Sequence, residues 1–128
     1  MRYLLDTHTF LWMAAEPAKL SAKITGIVQA SDNRLLLSAA SGWEIALLWH
    51  LKRVELPGQP QRFIPEALQK LSVIPLTIGF DTAISAATIP LFHRDPFGRI
   101  IIAEALKENV PVITKDRTFA EYGALTLW

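Results

Sequence analysis

The pattern of hydrophobic and polar positions predicts strands that alternate with helices along the whole chain. Short apolar runs typical of strands lie at 2–5, 35–37, 73–78, 110–114 and 125–128. Apolar residues recur at helical spacing over 20–28, 41–50, 63–71, 83–88 and 96–108. Strands joined through helices imply right-handed crossovers and a mostly parallel sheet covered on both faces. We therefore predict an α/β fold, a three-layer α/β/α sandwich, as a single domain over residues 1–128.

A few residues refine these predicted elements. Ser21 is a good N-cap candidate for the first predicted helix. Two prolines and a glycine over 54–60 predict a loop. Pro65 fits the helix over 63–71 only if it lies in the first turn. Pro75 indicates that the run over 73–78 forms an edge strand or an irregular one.

Composition and charge exclude several classes of protein. With 51% hydrophobic and 20% charged residues, the 128-residue chain is globular rather than disordered. The absence of cysteine excludes disulfides and thiolate zinc sites. A net charge of +1 argues against a protein that simply coats nucleic acid. The first apolar run meets Asp6 too early for a signal peptide or a membrane span, so we expect a cytoplasmic protein with no membrane association.

Four acidic residues fall where the predicted sheet would present them together. Asp6 follows the first strand, Glu44 lies in the helix after the second, and Asp116 follows the strand over 110–114. Asp95 opens the long helix over 96–108. Ligands of open α/β sheets bind beyond the carboxyl ends of the strands, so these acids are expected to converge. Polar residues expected to support them are Thr7, Ser38 and Thr114.

Carboxylates gathered in this way repel one another unless a cation neutralises them. Oxygen ligands without cysteine or a histidine pair favour Mg²⁺ or Mn²⁺ over zinc. Such a metal activates water for attack on phosphorus, so the acids predict cleavage of a nucleic-acid backbone. Basic residues beside the predicted site, expected to hold phosphates, are Arg94, Arg99, Lys115 and Arg117.

Other polar and aromatic residues favour ordinary structural roles. The histidines, His8, His50 and His93, share no metal-ligand spacing, so we expect none of them to ligate the metal. The tryptophans at 12, 43 and 49 favour core or dimer-surface positions over stacking on bases.

Each acid also has a purely structural interpretation, and the two interpretations do not exclude each other. Asp6 is a favoured cap for a following turn. Ser41 and Glu44 fit a Ser-x-x-Glu capping box. Asp95 before Pro96 is a common turn dipeptide, and Asp116 is suited to cap the short segment over 117–122.

Four segments together resemble one protein family. They are LLDTH at 4–8 with Leu11 and Trp12, SAASGWEI at 38–45, HRDPFGR at 93–99 with Ile102 and Ala103, and ITKD at 113–116 with Phe119 and Trp128. Their order and spacing over nearly the whole chain resemble the PIN-domain family, specifically the VapC-like toxins of bacterial type II toxin–antitoxin pairs.

The resemblance implies a sandwich around a central parallel sheet and Mg²⁺- or Mn²⁺-dependent endoribonuclease activity. Carried over position by position, the acids of the family fall on Asp6, Glu44 and Asp116, and Thr114 matches a hydroxyl position beside the site. The resemblance also implies an RNA substrate, a homodimer and an antitoxin partner that inserts a segment into the groove and blocks it.

One position departs from the family pattern. The family segment reads Asp-Pro-Phe-Asp-Arg, and its second aspartate is a usual site acid, but this chain has Gly98 there. Three hypotheses follow: Asp95 substitutes directly or through water, the site binds metal weakly, or the protein is an inactive form. Glycine inside a helix is less stable than alanine by about 0.5–1 kcal/mol, so Gly98 has no evident stabilising role. We expect Gly98→Asp to raise Mg²⁺ affinity and RNA cleavage.

Three alternatives to a metal-dependent ribonuclease remain open at this point. The first is a catalytically inactive PIN fold that binds an antitoxin or RNA. The second is a receiver-type signalling domain, although Asp6 has no acidic neighbour and Lys115 precedes an aspartate. The third is a DNA-cutting nuclease, since metal-assisted phosphodiester chemistry does not itself select the sugar.

Overall fold

The computed structural model describes all 128 residues and contains one central sheet of five parallel strands. The strands are β1 (Arg2–Leu5), β2 (Arg34–Ser38), β3 (Val73–Leu76), β4 (Val112–Ile113) and β5 (Thr126–Leu127). Their order across the sheet is β3-β2-β1-β4-β5. The predicted α/β fold is confirmed, and the sheet is parallel throughout.

Six helices connect and cover the strands. They are α1 (Thr7–Ala15), α2 (Ala22–Gln29), α3 (Ala39–His50), α4 (Pro60–Lys70), α5 (Phe80–Thr88) and α6 (Pro96–Glu108). Two 3-10 helices span Pro17–Lys19 and Arg117–Tyr122. No helix is both long enough and apolar enough to span a membrane.

The pleat of β1 divides the hydrophobic core into two layers. Leu5 packs with Phe10 of α1 and Ile24 of α2 on one face of the sheet. Leu4 points the other way and packs in a second cluster that contains Ile101 of α6. Alternate residues of a strand face opposite sides of a sheet, so this buried strand supplies both layers.

Several local predictions are confirmed. The Ser21 side chain accepts a hydrogen bond from the backbone N–H of Ile24 and caps α2. The helix over 96–108 has the predicted bounds. Pro75 lies in β3, which is an edge strand of the sheet, where a missing N–H is tolerated.

Other boundaries were wrong for physical reasons that the structure reveals. Helix α1 was not predicted, because its residues are apolar on more than one face and lack the helical period. Helix α3 begins two residues before Ser41, since the Ser38 hydroxyl accepts from Ala40 N–H and caps it. The proposed capping box is therefore wrong. Helix α4 begins at Pro60, which leaves Pro65 inside the helix rather than in its first turn.

Candidate active site

The neighbouring strands β1 and β4 place Asp6 and Asp116 at the same edge of the sheet. The Asp6 backbone N–H donates to the Ile113 carbonyl at 3.1 Å, which extends the pairing of the two strands. The buried Thr114 hydroxyl donates to Asp6 Oδ2 at 2.7 Å and accepts from the Asp116 N–H at 2.9 Å. One threonine hydroxyl thus joins the two acids.

Asp6 and Asp116 line a cleft of about 300 Å³. The other residues of its lining are His8, Thr9, Trp12 and Lys115. Thr9 anchors this wall, because its hydroxyl donates to the Ile113 carbonyl at 2.8 Å. Trp12 was predicted to be a core or dimer-surface residue, and its place in the cleft was not anticipated.

All three candidate aspartates also cap helices, which was predicted for Asp6 and Asp116, whereas Asp95 had been interpreted as a turn residue. Asp6 Oδ1 accepts from the Thr7 N–H at 2.8 Å, and Asp116 Oδ1 accepts from the Thr118 N–H at 2.9 Å. Asp95 accepts from the Phe97 and Gly98 N–H groups at 3.2 and 3.4 Å. Capping directs the positive ends of three helices toward the acids, so it is compatible with a site that concentrates negative charge.

Glu44 reaches this region from α3. The Thr7 hydroxyl lies 2.9 Å from the Ser41 hydroxyl, which joins the start of α1 to α3 one turn before Glu44. The pKa of Glu44 is raised by burial first, then by the negative charges of Asp95 and Asp6, while the Thr7 hydroxyl lowers it in part. Glu44 therefore shares one electrostatic neighbourhood with both aspartates.

Burial and hydrogen bonding shift the pKa values of Asp6 and Asp116 in opposite directions. Burial raises the pKa of Asp6 above its ordinary value, against the opposing effect of the Thr114 and Thr7 donors. Burial alone would also raise the pKa of Asp116, but donors from Thr118 and His93 lower it overall. Asp116 therefore ionises more readily than a free aspartate, whereas burial disfavours the ionised form of Asp6, which a nearby cation would stabilise.

His93 contacts an acid of the site, which its sequence spacing did not indicate. Its Nε2 lies 2.8 Å from Asp116 Oδ2, and its Nδ1 accepts from the Asp95 N–H at 3.1 Å. Because Nδ1 is an acceptor, the proton of a neutral ring is assigned to Nε2, which donates to Asp116.

Two predicted site residues lie away from the cleft. The Arg99 guanidinium is buried and donates to the carbonyls of Ala86, Ala87, Ile89, Pro90 and His93. These bonds fix the chain between α5 and α6 and leave no donor group facing the cleft, which corrects the expectation that Arg99 holds phosphate. Ser38 is buried at the start of α3, where it caps the helix and does not line the cleft.

The remaining predicted basic residues are exposed. Arg94 lies before Asp95, and Arg117 lies beside Asp116 in a second depression of about 380 Å³. The Lys115 ammonium lies 5.2 Å from the ring centroid of Trp12 and 5.1 Å from that of Trp128. These three cations are available to phosphates, in contrast to Arg99.

The acids fit a divalent cation by chemistry, although the structure does not bring three ligands together. No group of three acidic, histidine or cysteine side chains is close enough to hold one ion. Asp6, Glu44 and Asp95 have no lysine or arginine partner, although burial opposes the ionisation of Asp6 and Glu44. Buried carboxylates without a cationic partner are suited to an oxygen-preferring metal ion.

The comparison with protein families decides the assignment. The model of the PIN domain matches residues 3–125. The chain belongs to the PIN domain family. Ribonuclease VapC22 of Mycobacterium tuberculosis is 31% identical over an alignment that covers 98% of this chain and 97% of that protein. This PIN domain is therefore similar to a VapC-type protein over nearly its whole length.

Solved structures share the fold of this PIN domain. The VapBC2 complex of Rickettsia felis bound to a promoter DNA fragment matches with a TM-score of 0.71 and 13% identity, covering 99% of this chain and 98% of that one. FitAcB of Neisseria gonorrhoeae matches with a TM-score of 0.62 and 20% identity, over 98% and 96% of the two chains. VapBC-1 of nontypeable Haemophilus influenzae matches with a TM-score of 0.65 and 14% identity, over 99% and 97%.

The receiver-domain alternative is wrong. Receiver domains have the strand order 2-1-3-4-5, whereas β1 is the central strand here, between β2 and β4. The family match and the strand order therefore both exclude a receiver domain.

Proposed function

We propose that this PIN domain is a metal-dependent endoribonuclease of the VapC toxin type, acting on RNA in the cytoplasm. The observation that carries the proposal is the pair Asp6 and Asp116, which Thr114 holds together at the open end of two parallel strands. The similarity to a protein named as a ribonuclease supports RNA as the substrate.

In the proposed mechanism, Asp6 and Asp116 would hold Mg²⁺ or Mn²⁺, and Glu44 and Asp95 would complete the site from α3 and from the turn before α6. When bound, the metal supplies an acidified water and charge stabilisation at the phosphate. The chain's own residues orient the acids and attract the substrate. Thr114 orients Asp6, the N–H of Thr118 orients Asp116, and Lys115, Arg94 and Arg117 attract the RNA backbone.

The decisive experiment is RNA cleavage by the purified protein with Mn²⁺ or Mg²⁺ added in turn. We expect cleavage that chelation abolishes and that Asp6→Asn reduces by about two orders of magnitude or more, since a metal supplies several kcal/mol of charge stabilisation. Asp32→Asn is the matched control, because Asp32 is exposed in the turn before β2. Cleavage that survives in chelator would contradict the metal mechanism, and DNA cut as readily as RNA would contradict the substrate.

A second candidate is a PIN fold that binds RNA or an antitoxin without cutting. Gly98 in place of the family's acid, and the lack of three converging ligands, favour it. Metal titration separates the two candidates. Cleavage that appears at millimolar Mn²⁺ indicates a weakened enzyme, whereas RNA binding without cleavage at any metal concentration indicates the inactive form.

The proposed antitoxin partner has a suitable groove beside the cleft. A cavity of about 290 Å³ between α1 and α4 is lined by both apolar and charged side chains, and the apolar ones include Leu11, Trp12, Val54, Leu56 and Phe63. Structures of VapB–VapC complexes match this fold, which supports an antitoxin as its occupant. We expect Leu56→Asp to weaken capture of a co-expressed antitoxin, and because Leu56 also packs against the hydrophobic core, circular dichroism of the variant must match that of the parent.

We also propose a homodimer that uses the outer face of α5. Phe80 and Ile84 are 89% and 61% exposed there, and Leu91 is 69% exposed in the turn that follows. An apolar face of this kind is typical of a protein–protein contact. Sedimentation of the double variant Phe80→Asp, Ile84→Asp should give a monomer, whereas an unchanged mass would place the contact elsewhere.

A further inference from the structure

The space beside Gly98 is filled by an imidazole. A Cβ atom added at Gly98 would lie 2.9 Å from His93 Cε1 and 3.0 Å from His93 Nε2. Real Cβ contacts are not this short, so any side chain at position 98 requires the ring to move. Because Gly98 has no side chain, the His93 ring can lie against α6.

Movement of the ring would weaken two hydrogen bonds. Nε2 donates to Asp116 Oδ2, and Nδ1 accepts from the Asp95 N–H. The ring also packs edge-on against Phe119, with 5.6 Å between centroids, and the side chain is only 13% exposed. A shift of the imidazole would weaken both bonds, and a larger displacement would leave the Asp95 N–H without its acceptor.

The backbone of His93 is held as firmly as its side chain. The Arg99 guanidinium donates to the His93 and Pro90 carbonyls at 3.1 and 3.0 Å. The Tyr122 hydroxyl accepts from the His93 N–H and donates to the Pro90 carbonyl, each at 2.6 Å. The segment that carries His93 is thus fixed from two sides, so the ring has little freedom to withdraw while its backbone stays in place.

We propose that His93 is a positioning residue for Asp116, and that its imidazole and any side chain at position 98 exclude each other. His93 takes the place of the missing side chain and orients the Asp116 carboxylate toward the cleft that Asp6 shares. The part of the proposal that concerns the metal rests on the proposed function, whereas the exclusion between the two positions does not.

Thermal and chemical unfolding of a double-mutant cycle tests the exclusion directly. Gly98→Ala should gain no stability in the parent, because the Cβ collides with the pinned ring. In the His93→Ala background it should raise the folding equilibrium constant about two- to fivefold, which is the usual advantage of alanine in a helix. Gly26→Ala is the matched control, since Gly26 lies in α2 with no atom near its Cβ position, and it should gain in both backgrounds.

Nuclear magnetic resonance of the metal-free protein provides a second test that does not require the His93→Ala variant. Long-range ¹H–¹⁵N spectra of the imidazole should show an Nε2–H tautomer in the parent, and Gly98→Ala should shift the His93 ring signals while those of His50 stay unchanged. If Gly98→Ala stabilises both backgrounds equally and leaves the His93 signals in place, the exclusion is wrong.

Binding of Mn²⁺ alone, followed by electron paramagnetic resonance, tests the positioning role. His93→Ala and Gly98→Ala should each weaken Mn²⁺ binding by about tenfold, the scale expected when the orientation of a ligand is lost. His93→Gln should retain binding within about twofold, because its amide can donate from the position of Nε2. Equal affinity in the parent and His93→Ala would overturn the positioning role.

The two proposals fail in different ways. A parent protein that binds no Mn²⁺ overturns both the metal mechanism and the positioning role toward a metal, while the unfolding cycle still decides the exclusion. The exclusion also qualifies the expectation for Gly98→Asp, because the new carboxylate can enter only after the imidazole leaves Asp116.

Discussion

Asp6 and Glu104 are both acids whose pKa burial raises, but they lie in regions of very different construction. Asp6 follows β1, where Thr7 and Thr114 donate to its two oxygens and a cleft opens beside it. Glu104 lies in the middle of α6, is 4% exposed, and has no hydrogen-bond partner at either oxygen. Burial alone therefore does not identify a site, since donors and an opening distinguish Asp6.

The environment of Glu104 favours a neutral acid. Its neighbours along α6 include Ile101 and Ala105, which belong to the second hydrophobic cluster. Desolvation by burial raises the pKa of Glu104 to about 7. Helix α6 thus carries a group that destabilises the fold when it ionises, whereas Asp6 at the edge of the sheet would be kept ionised by the cation of the proposed site.

The largest expected effect comes from removing a hydrogen-bond donor from Asp6, which makes its environment more like that of Glu104. Thr114→Val removes the donor to Asp6 Oδ2 and the acceptor of the Asp116 N–H while preserving shape. We expect the pKa of Asp6 to rise further and Mn²⁺ affinity to fall by about 10–100-fold, as for other residues that orient metal ligands. Calorimetric titration with Mn²⁺ measures the affinity.

Thr77→Val is the control for this change, because Thr77 follows β3 at the same end of the sheet but is exposed and distant from β4. It should leave Mn²⁺ binding unaltered. If Thr114→Val binds Mn²⁺ as the parent does, the threonine bridge is only a structural contact and the contrast with Glu104 loses its basis.

The next effect concerns the stability of the fold and its dependence on pH. The raised pKa of Glu104 means that the folded protein keeps a proton that the unfolded chain loses above its ordinary pKa near 4.5. The stabilising contribution is complete below that pH and is lost as pH rises toward about 7. Glu104→Gln, which has no proton to lose, should be more stable than the parent by about 3 kcal/mol at pH 8.

Urea unfolding at pH 5 and pH 8 measures this difference, which should be much smaller at pH 5. Glu121→Gln is the control, since Glu121 is exposed and lies outside any ion pair. A Glu104→Gln variant that is less stable than the parent at both pH values would indicate that the carboxylate has a partner.

The sequence predicted the architecture and the approach of Asp6 to Asp116, because both follow from strands that are buried and parallel. It did not predict helix α1, where apolar residues on several faces hide the helical period. From the sequence, Arg99 was expected to bind phosphate, and no role was expected for His93. In the structure five backbone carbonyls accept from the Arg99 guanidinium, and the His93 ring lies beside Gly98. Both arrangements depend on tertiary contacts. The spacing of residues along the chain does not predict such contacts.

The smallest expected effect concerns Lys115 at the rim of the cleft. It tests the attraction of RNA independently of the carboxylates. The exposed Lys115 ammonium lies between the rings of Trp12 and Trp128, and it borders both the cleft and the depression beside Arg117. In an Asp6→Asn background with chelator present, which suppresses cleavage, Lys115→Gln should weaken binding of single-stranded RNA a few-fold and lower the slope of affinity against salt by about one. Lys23→Gln, at an exposed lysine of α2, should change neither quantity. An unchanged salt slope for Lys115→Gln would mean that the RNA backbone follows another path, and Arg94 would then be the next cation to replace.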